Sequence, residues 1–569
     1  MWLATRVEAM TSTDASAVRP ALQAKAEAWA DQDPDIDTKA ELKALMTAAN
    51  SGDKSALAQL RDCFAGPLTF GTAGLRAAMG PGPARMNRVV VTQAAAGFAD
   101  WLLTTGGVKP GSSVLIGYDA RHKSADFARD TAEVMAAAGL KPLLTAEPTP
   151  TPVIAFGVVH LGCAAGVQVT ASHNPAQDNG YKVYLGDGSQ IIPPTDAQIA
   201  AKIAKRATRP VADIGRSEAY EMVGDDLLAA YVARVAGVIA PTPKRDVVWA
   251  YTAMHGVGAK AVHQVVDATR FPAPFIVETQ VNPDPDFPTV AFPNPEEPGA
   301  MDLVITLARS RGADIAVATD PDADRCAAAA PIDGAWRRLT GDELGVLLGD
   351  YAIRRGVPGT FAASVVSSTI LGTMAHAAHR RFATTLTGFK WIGRVPNLAF
   401  GYEEAIGYCC DPVAVRDKDG ISATAMLLRL TAELKAEGLT VADRLAEIDK
   451  DFGVHATAQH SIRVAKLSQI AEMMKRLRDA PPSQLAGVAV MTTDLLVDGK
   501  LPPTDAVMLS GKTLRAVVRP SGTEPKLKCY LEARRPAEEA NRNIVASRAA
   551  AAQTLEQIWQ EIDQILRLR

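Results

Sequence analysis

From residue 89 onward one rhythm recurs, a helix-length amphipathic stretch followed by a strand-length apolar run. No other feature of the chain restricts its fold as much. Residues 89–103 predict a helix stopped by Gly106-Gly107. Residues 114–118 predict a strand, and Ser124 can N-cap a helix whose apolar side carries Phe127, Thr131, Val134 and Met135 before Gly139 closes it. A strand over 140–144, a helix over 152–161 and a strand over 165–169 complete the first cycle. A second cycle runs from a helix near 219–238 through strands 247–251, 275–277 and 313–318, interrupted by a proline-rich loop over 281–299. A third begins with helix 341–355 and contains strands 361–366 and 398–402. Such alternation predicts mostly parallel sheets with helices on both faces. Ligands in such sheets bind beyond the carboxyl ends of the strands, so chemistry is to be sought where the apolar runs stop.

The run 165–169 stops in Thr170-Ala171-Ser172-His173-Asn174-Pro175, and alternation resumes at Tyr181, with Lys182 beside it. A strand ending in a tight loop holds its side chains on a rigid scaffold, which suits a nucleophilic serine. An ordinary turn is the plainer alternative, since Ser, Asn and Pro all favour turns. Strand 114–118 stops in Asp119-Ala120-Arg121, where an ion pair between the two charges is the bland reading of Asp119. Run 313–318 stops in Asp320-Pro321-Asp322-Ala323-Asp324-Arg325. Three carboxylates at alternate positions repel one another unless a cation sits among them, and hard oxygen ligands suit Mg²⁺. The alternative is a solvated acidic turn, but an apolar strand leading into the cluster makes idle charge costly.

In the third cycle Thr387-Gly388-Phe389-Lys390 precedes strand 398–402, which leads into Glu403-Glu404-Ala405-Ile406-Gly407. Adjacent carboxylates before a glycine are suited to accepting hydrogen bonds from sugar hydroxyls. Lys418, in the charged run 416–420, can meet a phosphate, although such runs are usually solvated. The last ~115 residues change style, with predicted strands near 458–463, 487–492, 513–518 and 528–533 and a terminal helix carrying Leu555, Ile558, Ile562 and Ile565. Between two of these strands lies Arg519-Pro520-Ser521-Gly522-Thr523-Glu524-Pro525-Lys526, dense enough in donors for a phosphate nest, with a hairpin tip as the alternative. Near the other end, Gly71-Thr72-Ala73-Gly74-Leu75-Arg76 lets backbone N–H groups approach an anion, with Arg76 adding charge. Residues 38–64 predict helices that cap the first domain, whereas 11–36 are only weakly periodic.

Length and charge bound the rest. A chain of 569 residues can hold roughly four domains. A net charge of −3 leaves no footprint for nucleic acid or an anionic membrane. The six cysteines lack any CxxC pair and read as reduced thiols of a cytoplasmic protein. Residues 1–10 lack the apolar core of a signal peptide, and the sequence also admits a start at Met10.

Taken in order, the 71–76, 170–175, 320–325, 401–407 and 519–523 motifs resemble those of the α-D-phosphohexomutases, the superfamily of phosphoglucomutases and phosphomannomutases. The resemblance covers residue 65 to the end. It implies an α/β fold of four domains around a central cleft: three similar α/β domains with mixed, mostly parallel sheets and a smaller α+β C-terminal domain. The expected divisions are 1–215, 216–335, 336–455 and 456–569. It also implies a Mg²⁺-dependent mutase that interconverts sugar 1-phosphates and 6-phosphates, with glucose phosphates as the first expectation. Its sugar 1,6-bisphosphate is both intermediate and activator.

By the same resemblance Ser172 carries the phosphoryl group, and Ser172, Asp320, Asp322 and Asp324 hold the metal. Arg76 and Arg325 stabilise the moving phosphoryl group, while Lys182 matches the family's candidate general base, with His173 and Arg121 nearby. Thr387, Gly388, Lys390, Glu403 and Lys418 are expected to meet substrate, and Arg519, Ser521, Gly522 and Thr523 to clamp the non-reacting phosphate. Phosphosugars are the expected partners, and the chain is expected to be a monomer or homodimer. Two departures matter. Ala405 stands where many members have a serine, so one sugar contact is missing, and Pro321 and Ala323 replace frequent glycines without touching the ligands. The 70–76, 286–289, 293–296, 387–390 and 402–408 stretches look most like the branch of phosphoglucomutase-2, phosphopentomutase and glucose-1,6-bisphosphate synthase. Mannose and pentose phosphates are therefore alternative substrates. A bisphosphate synthase or phosphatase is a further alternative, and a silent sugar-phosphate sensor the remotest.

Overall fold

The computed structural model describes residues 12–239, 242–464, 466–497, 499–521 and 526–567, with side chains from residue 20. The chain divides into two compact units: residues up to Leu228 with Pro283–Pro293, and Ala229–Asn282 with Asn294 onward.

The first unit is built on a six-stranded sheet in the order Leu75–Ala78, Asp178–Leu185, Ala165–Val169, Ser113–Tyr118, Lys141–Thr145, Glu221–Val223. Its central strands are parallel, and Asp178–Leu185 turns antiparallel against Ala165–Val169. Ala165–Val169 is buried at every position, as a strand covered on both faces must be. Helix Arg88–Thr104 is capped by Asn87, whose Oδ1 accepts from the Val90 amide at 3.0 Å. Ser124 does not cap the next helix; it is that helix's first residue, Lys123 occupies the cap with φ 63°, and the Ser124 hydroxyl donates to Asp119 at 2.7 Å. The weakly periodic stretch before residue 38 is helical over much of its length. Helix Ser12–Gln32 sends Leu22, Ala26, Trp29 and Ala30 into the core, where Trp29 meets Phe64 edge-on at 6.1 Å. A stripe of small alanines gives too weak a periodic signal to announce such a helix.

The second unit begins with two sheets of the same plan. One runs Ala335–Arg338, Cys326–Ile332, Ile315–Thr319, Trp249–Thr252, Phe275–Ile276; the other Arg381–Thr385, Thr360–Ser364, Leu398–Glu403, Gly407–Cys409. In each of the three sheets a first strand pairs in parallel with the second and third, and a fourth folds back antiparallel on the third. The 170–177, 320–325 and 404–406 loops therefore occupy one topological position, the reversal after the third strand. Each reversal carries a non-glycine residue in the left-handed region: Ser172 (φ 53°), Ala323 (φ 57°) and Ile406 (φ 52°).

The last domain is an antiparallel sheet in the order Val454–Arg463, Lys526–Arg535, Leu514–Pro520, Val507–Gly511, Val488–Asp494, Gln484–Leu485. Helices Leu467–Asp479 and Ile544–Arg567 cover it with Ile470, Met474, Leu477, Leu555, Ile558, Ile562 and Leu566. Leu566 takes the buried place expected of Ile565, which is only partly covered. Among the described residues no helix is long and apolar enough to cross a membrane.

Candidate active site

Ser172 sits three residues beyond its strand, 2% exposed, with its amide donating to Thr170 Oγ1 at 2.8 Å and its hydroxyl 3.2 Å from His173 Nδ1. The loop around it is held from behind. Arg121 donates to the carbonyls of Ser172 (2.7 Å), Asn174 (2.6 Å), Pro175 (2.7 Å) and Asp178 (3.1 Å). Its Nε lies 3.3 Å from Asp119 Oδ2, so the plain reading of that pair stands, and its other side covers Phe287 at 5.0 Å. A guanidinium so engaged orders the loop rather than facing a substrate. Arg76 reaches the same loop, donating to Asn174 Oδ1 at 3.2 Å. Its strand lies hard against Asp178–Leu185: a Cβ on Gly74, at φ +77°, would fall 1.8 Å from the Tyr181 carbonyl oxygen, so only glycine fits. Lys182 is buried on that neighbouring strand, opposite Gln168. The first unit thus gathers Ser172, His173, Arg76, Arg121 and Lys182.

In the second unit Asp320, Asp322 and Asp324 are fully buried, each offering an oxygen within 4.8 Å of the others. At that separation each like-charged pair costs roughly 3–4 kcal/mol at an effective dielectric of 20. Lys418 Nζ lies 3.2 Å from Asp324 and 3.6 Å from Asp417, and Arg325 Nε lies 3.8 Å from Asp320 and 3.9 Å from Asp324, with Glu296 also in range at 4.0 Å. Burial works against the Lys418 ammonium, but Asp324, Asp417 and Glu403 outweigh it and raise its pKa. Lys418 is therefore no member of a solvated charge run. A buried set of hard oxygens held within 4.8 Å of one another fits a divalent cation such as Mg²⁺.

The acidic loop is bonded directly to the third sheet's reversal. Arg325 bridges Gly407, the Cys326 amide donates to the Ile406 carbonyl at 3.2 Å, and Arg325 Nη1 donates to the Ala405 carbonyl. Glu403 ends its strand 9% exposed. Arg519 donates to Thr387 Oγ1 at 2.8 Å, beside Gly388 and Lys390 at the start of a short helix, so the 387–390 motif and the C-terminal arginine meet. Arg519 is the next-to-last residue of its strand Leu514–Pro520 and Lys526 the first of the next, with Ser521 N donating to Lys526 O at 2.8 Å. Gly522 and Thr523 lie outside the described residues. Lys528 escaped the sequence reading; it stands opposite Arg519 in the ladder, where period-two alternation could have found it. Of the adjacent carboxylates read as suited to sugar hydroxyls, Glu404 is turned inward onto Ser364 and Ser367.

Family models for all four domains of phosphoglucomutase/phosphomannomutase match this chain: α/β/α domain I over residues 67–210, domain II over 229–331, domain III over 340–450 and the C-terminal domain over 462–550. The chain belongs to the phosphoglucomutase/phosphomannomutase family. It is 46% identical to a probable phosphomannomutase of Haemophilus influenzae over 79% of this chain and 93% of that one. It is 37% identical to a probable phosphoribomutase of Schizosaccharomyces pombe over 90% and 94%. It is 32% identical to a Staphylococcus epidermidis phosphoglucomutase over 82% and 90%. The chain is a phosphohexomutase-type enzyme, an isomerase of carbohydrate metabolism that moves phosphate within a sugar phosphate. The family is metal-dependent, and the aspartate triad could bind the metal.

Proposed function

We propose that this mutase interconverts sugar 1-phosphates and 6-phosphates, glucose phosphates first, through a phosphoserine at Ser172 and a sugar 1,6-bisphosphate. The observation that carries the reading is the placing of Ser172: a single hydroxyl at a left-handed turn, within hydrogen-bond reach of an imidazole, on a loop ordered by a buried guanidinium. In the first half-reaction the Ser172 Oγ–P bond breaks as the substrate's free hydroxyl oxygen bonds to phosphorus, and that hydroxyl's proton passes to a base. In the second, the bisphosphate's other phosphoryl group returns to Oγ, and the proton is given back to the oxygen it leaves. Arg121 cannot be the base, because a guanidinium keeps its proton; Lys182 and His173 remain for proton handling, His173 at Oγ itself. Mg²⁺ held by Asp320, Asp322, Asp324 and Ser172 Oγ would neutralise charge developing in the transfer. Arg76 and Arg325 supply fixed positive charge, Glu403 accepts from sugar hydroxyls, and Lys418 steadies the acidic loop. Thr387, Gly388, Lys390, Arg519, Ser521, Gly522 and Thr523 hold the phosphate that is not moving.

Mannose and pentose phosphates are the second reading. Ala405 offers no hydroxyl, and Glu404 is spent on Ser364 and Ser367, so Glu403 alone of this loop's carboxylates is left to read the sugar. The test is kcat/KM for glucose, mannose and ribose 1-phosphates with Mg²⁺ and trace bisphosphate, together with mass spectrometry of Ser172 after exposure to the bisphosphate. A phosphorylated Ser172 and at least a tenfold preference for glucose 1-phosphate support the reading. A different preference renames the substrate. Phosphate release without isomerisation makes the chain a phosphatase, and an unmodified serine in an active enzyme removes the mechanism.

A further inference from the structure

The hairpin that carries Arg519 presents three rungs on one face. Arg515 stands opposite Glu532, Val517 opposite Tyr530, and Arg519 opposite Lys528. The middle rung is apolar and packs on Val365 and Val366, in the turn that follows strand Thr360–Ser364. The outer rung grips that turn. Arg515 donates to the carbonyls of Val365 (3.0 Å) and Ser367. Glu532 Oε1 accepts from Ser368 Oγ (2.9 Å), Thr369 N (2.7 Å) and Thr369 Oγ1 (2.9 Å), with His455 Nδ1 at 3.1 Å. Burial works against the Glu532 charge, but His455, Arg515 and Thr369 outweigh it and hold the carboxyl down at about 2.

The same turn holds Glu404. Ser364 and Ser367 donate to its Oε2 at 3.0 and 3.2 Å, Ser367 Oγ accepts from its amide at 3.1 Å, and the two serine hydroxyls lie 2.8 Å apart. Arg515 therefore holds the Ser367 carbonyl, and the same serine's hydroxyl holds Glu404, so one residue joins the hairpin to the residue after Glu403. We propose that Glu404 is a positioning residue that ties the sugar loop to the phosphate-binding sheet, so that the hold on phosphate at Arg519 and the hold on hydroxyls at Glu403 are set together. The inference rests on the roles proposed above for those two residues. Burial, with Glu403 and Asp342, pushes the Glu404 carboxyl up to about 7, so its use here is as a hydrogen-bond acceptor more than as a charge. A glutamine can serve in that role.

The experiment uses the full chain as wild type, Glu404→Ala, Glu404→Gln, Arg515→Met and the double variant Glu404→Ala/Arg515→Met. Glu404→Ala is expected to raise KM for glucose 1-phosphate about tenfold with kcat within about threefold, and Glu404→Gln to restore KM to within about threefold. The double variant is expected to be no more than about twofold worse than the weaker single one, as for two cuts in one link. Effects that multiply, or a glutamine variant as impaired as the alanine, overturn the proposal. A second readout needs no turnover: amide hydrogen exchange over residues 403–407, with and without saturating inorganic phosphate. Exchange slowed by phosphate in the wild type but not in Arg515→Met supports the link; exchange indifferent to phosphate in an active wild type overturns it. A wild type that isomerises no sugar phosphate would instead defeat the functional reading while leaving the exchange result to judge the link.

Discussion

The Ser172 loop and the acidic loop take the same place in the same topology, yet they are held by opposite means. Behind Ser172, one buried guanidinium collects four backbone carbonyls and so spends its donors on the backbone. The acidic loop turns on itself, the Ala323 amide donating to the Asp320 carbonyl at 2.9 Å and the Arg325 amide to Asp320 Oδ1 at 3.0 Å. Its charges face Lys418 and Arg325. The difference fits the chemistry proposed above for each loop. A nucleophile that gains and loses a phosphoryl dianion needs a fixed backbone whose organising cation does not close on the phosphate. A loop that is to take up a metal needs carboxylates close enough to repel one another in its absence.

The largest effect should come from removing what the first loop presents. Ser172→Ala is expected to lower kcat by at least about a thousandfold with the melting temperature little changed, since a small side chain replaces a small one. A coupled assay with added bisphosphate checks it, and turnover near the wild-type level would deny the serine its role. On the other loop, Asp322→Asn should cost about a hundredfold or more in kcat, and it should also change stability in a way no nucleophile variant can. Relieving like-charge repulsion should make it melt above the wild type in excess chelator and below it in saturating Mg²⁺. Calorimetry in both conditions reads the crossing; two curves in the same order would mean that the triad is not strained by its own charge.

Arg121→Lys probes the organising cation itself. It keeps the charge but loses the planar fork that reaches several carbonyls at once. A fall of about tenfold in kcat is expected from a loop loosened but not disarmed, with apparent Mg²⁺ affinity falling by no more than about twofold, since Ser172 Oγ is one of four proposed ligands. A larger loss of Mg²⁺ affinity on titration would contradict the aspartates' main share in holding the metal.

Much of this was legible before the structure because both loops are local in sequence. Three aspartates at alternate positions after an apolar run state their chemistry within six residues, and the strand-to-turn break at Ser172 does so within four. The repeated sheet plan was legible as rhythm but not as topology, because period-two and 3.6-residue patterns do not say which strand reverses. The ties between distant segments were not legible at all. Arg121 meets carbonyls more than fifty residues away, and Arg515 reaches a turn about 150 residues earlier. The burial of Lys418 was hidden for the same reason: its sequence neighbours are charged, but its partner Asp324 lies in another domain's loop.

The smallest predicted effect concerns the third reversal, which shares the topology of the other two and touches one of them. Ala405→Ser would place a hydroxyl in the sugar loop while leaving the main-chain carbonyl that accepts from Arg325 where it is. One added hydrogen bond is worth about 0.5–1.5 kcal/mol, or roughly two- to tenfold in kcat/KM. If the hydroxyl meets a group that hexoses have and pentoses lack, the ratio of glucose 1-phosphate to ribose 1-phosphate turnover should rise by that amount, with Mg²⁺ dependence unchanged. Competition kinetics with both sugars present measures the ratio directly. A shift in Mg²⁺ affinity alongside it would mean that Arg325, bridged to Gly407, carries changes from the sugar loop into the triad, so that the two reversals of the second unit act as one. An unchanged affinity would leave the Arg325 bridge as a hinge pin: it fixes where the loops stand without passing on what either one binds.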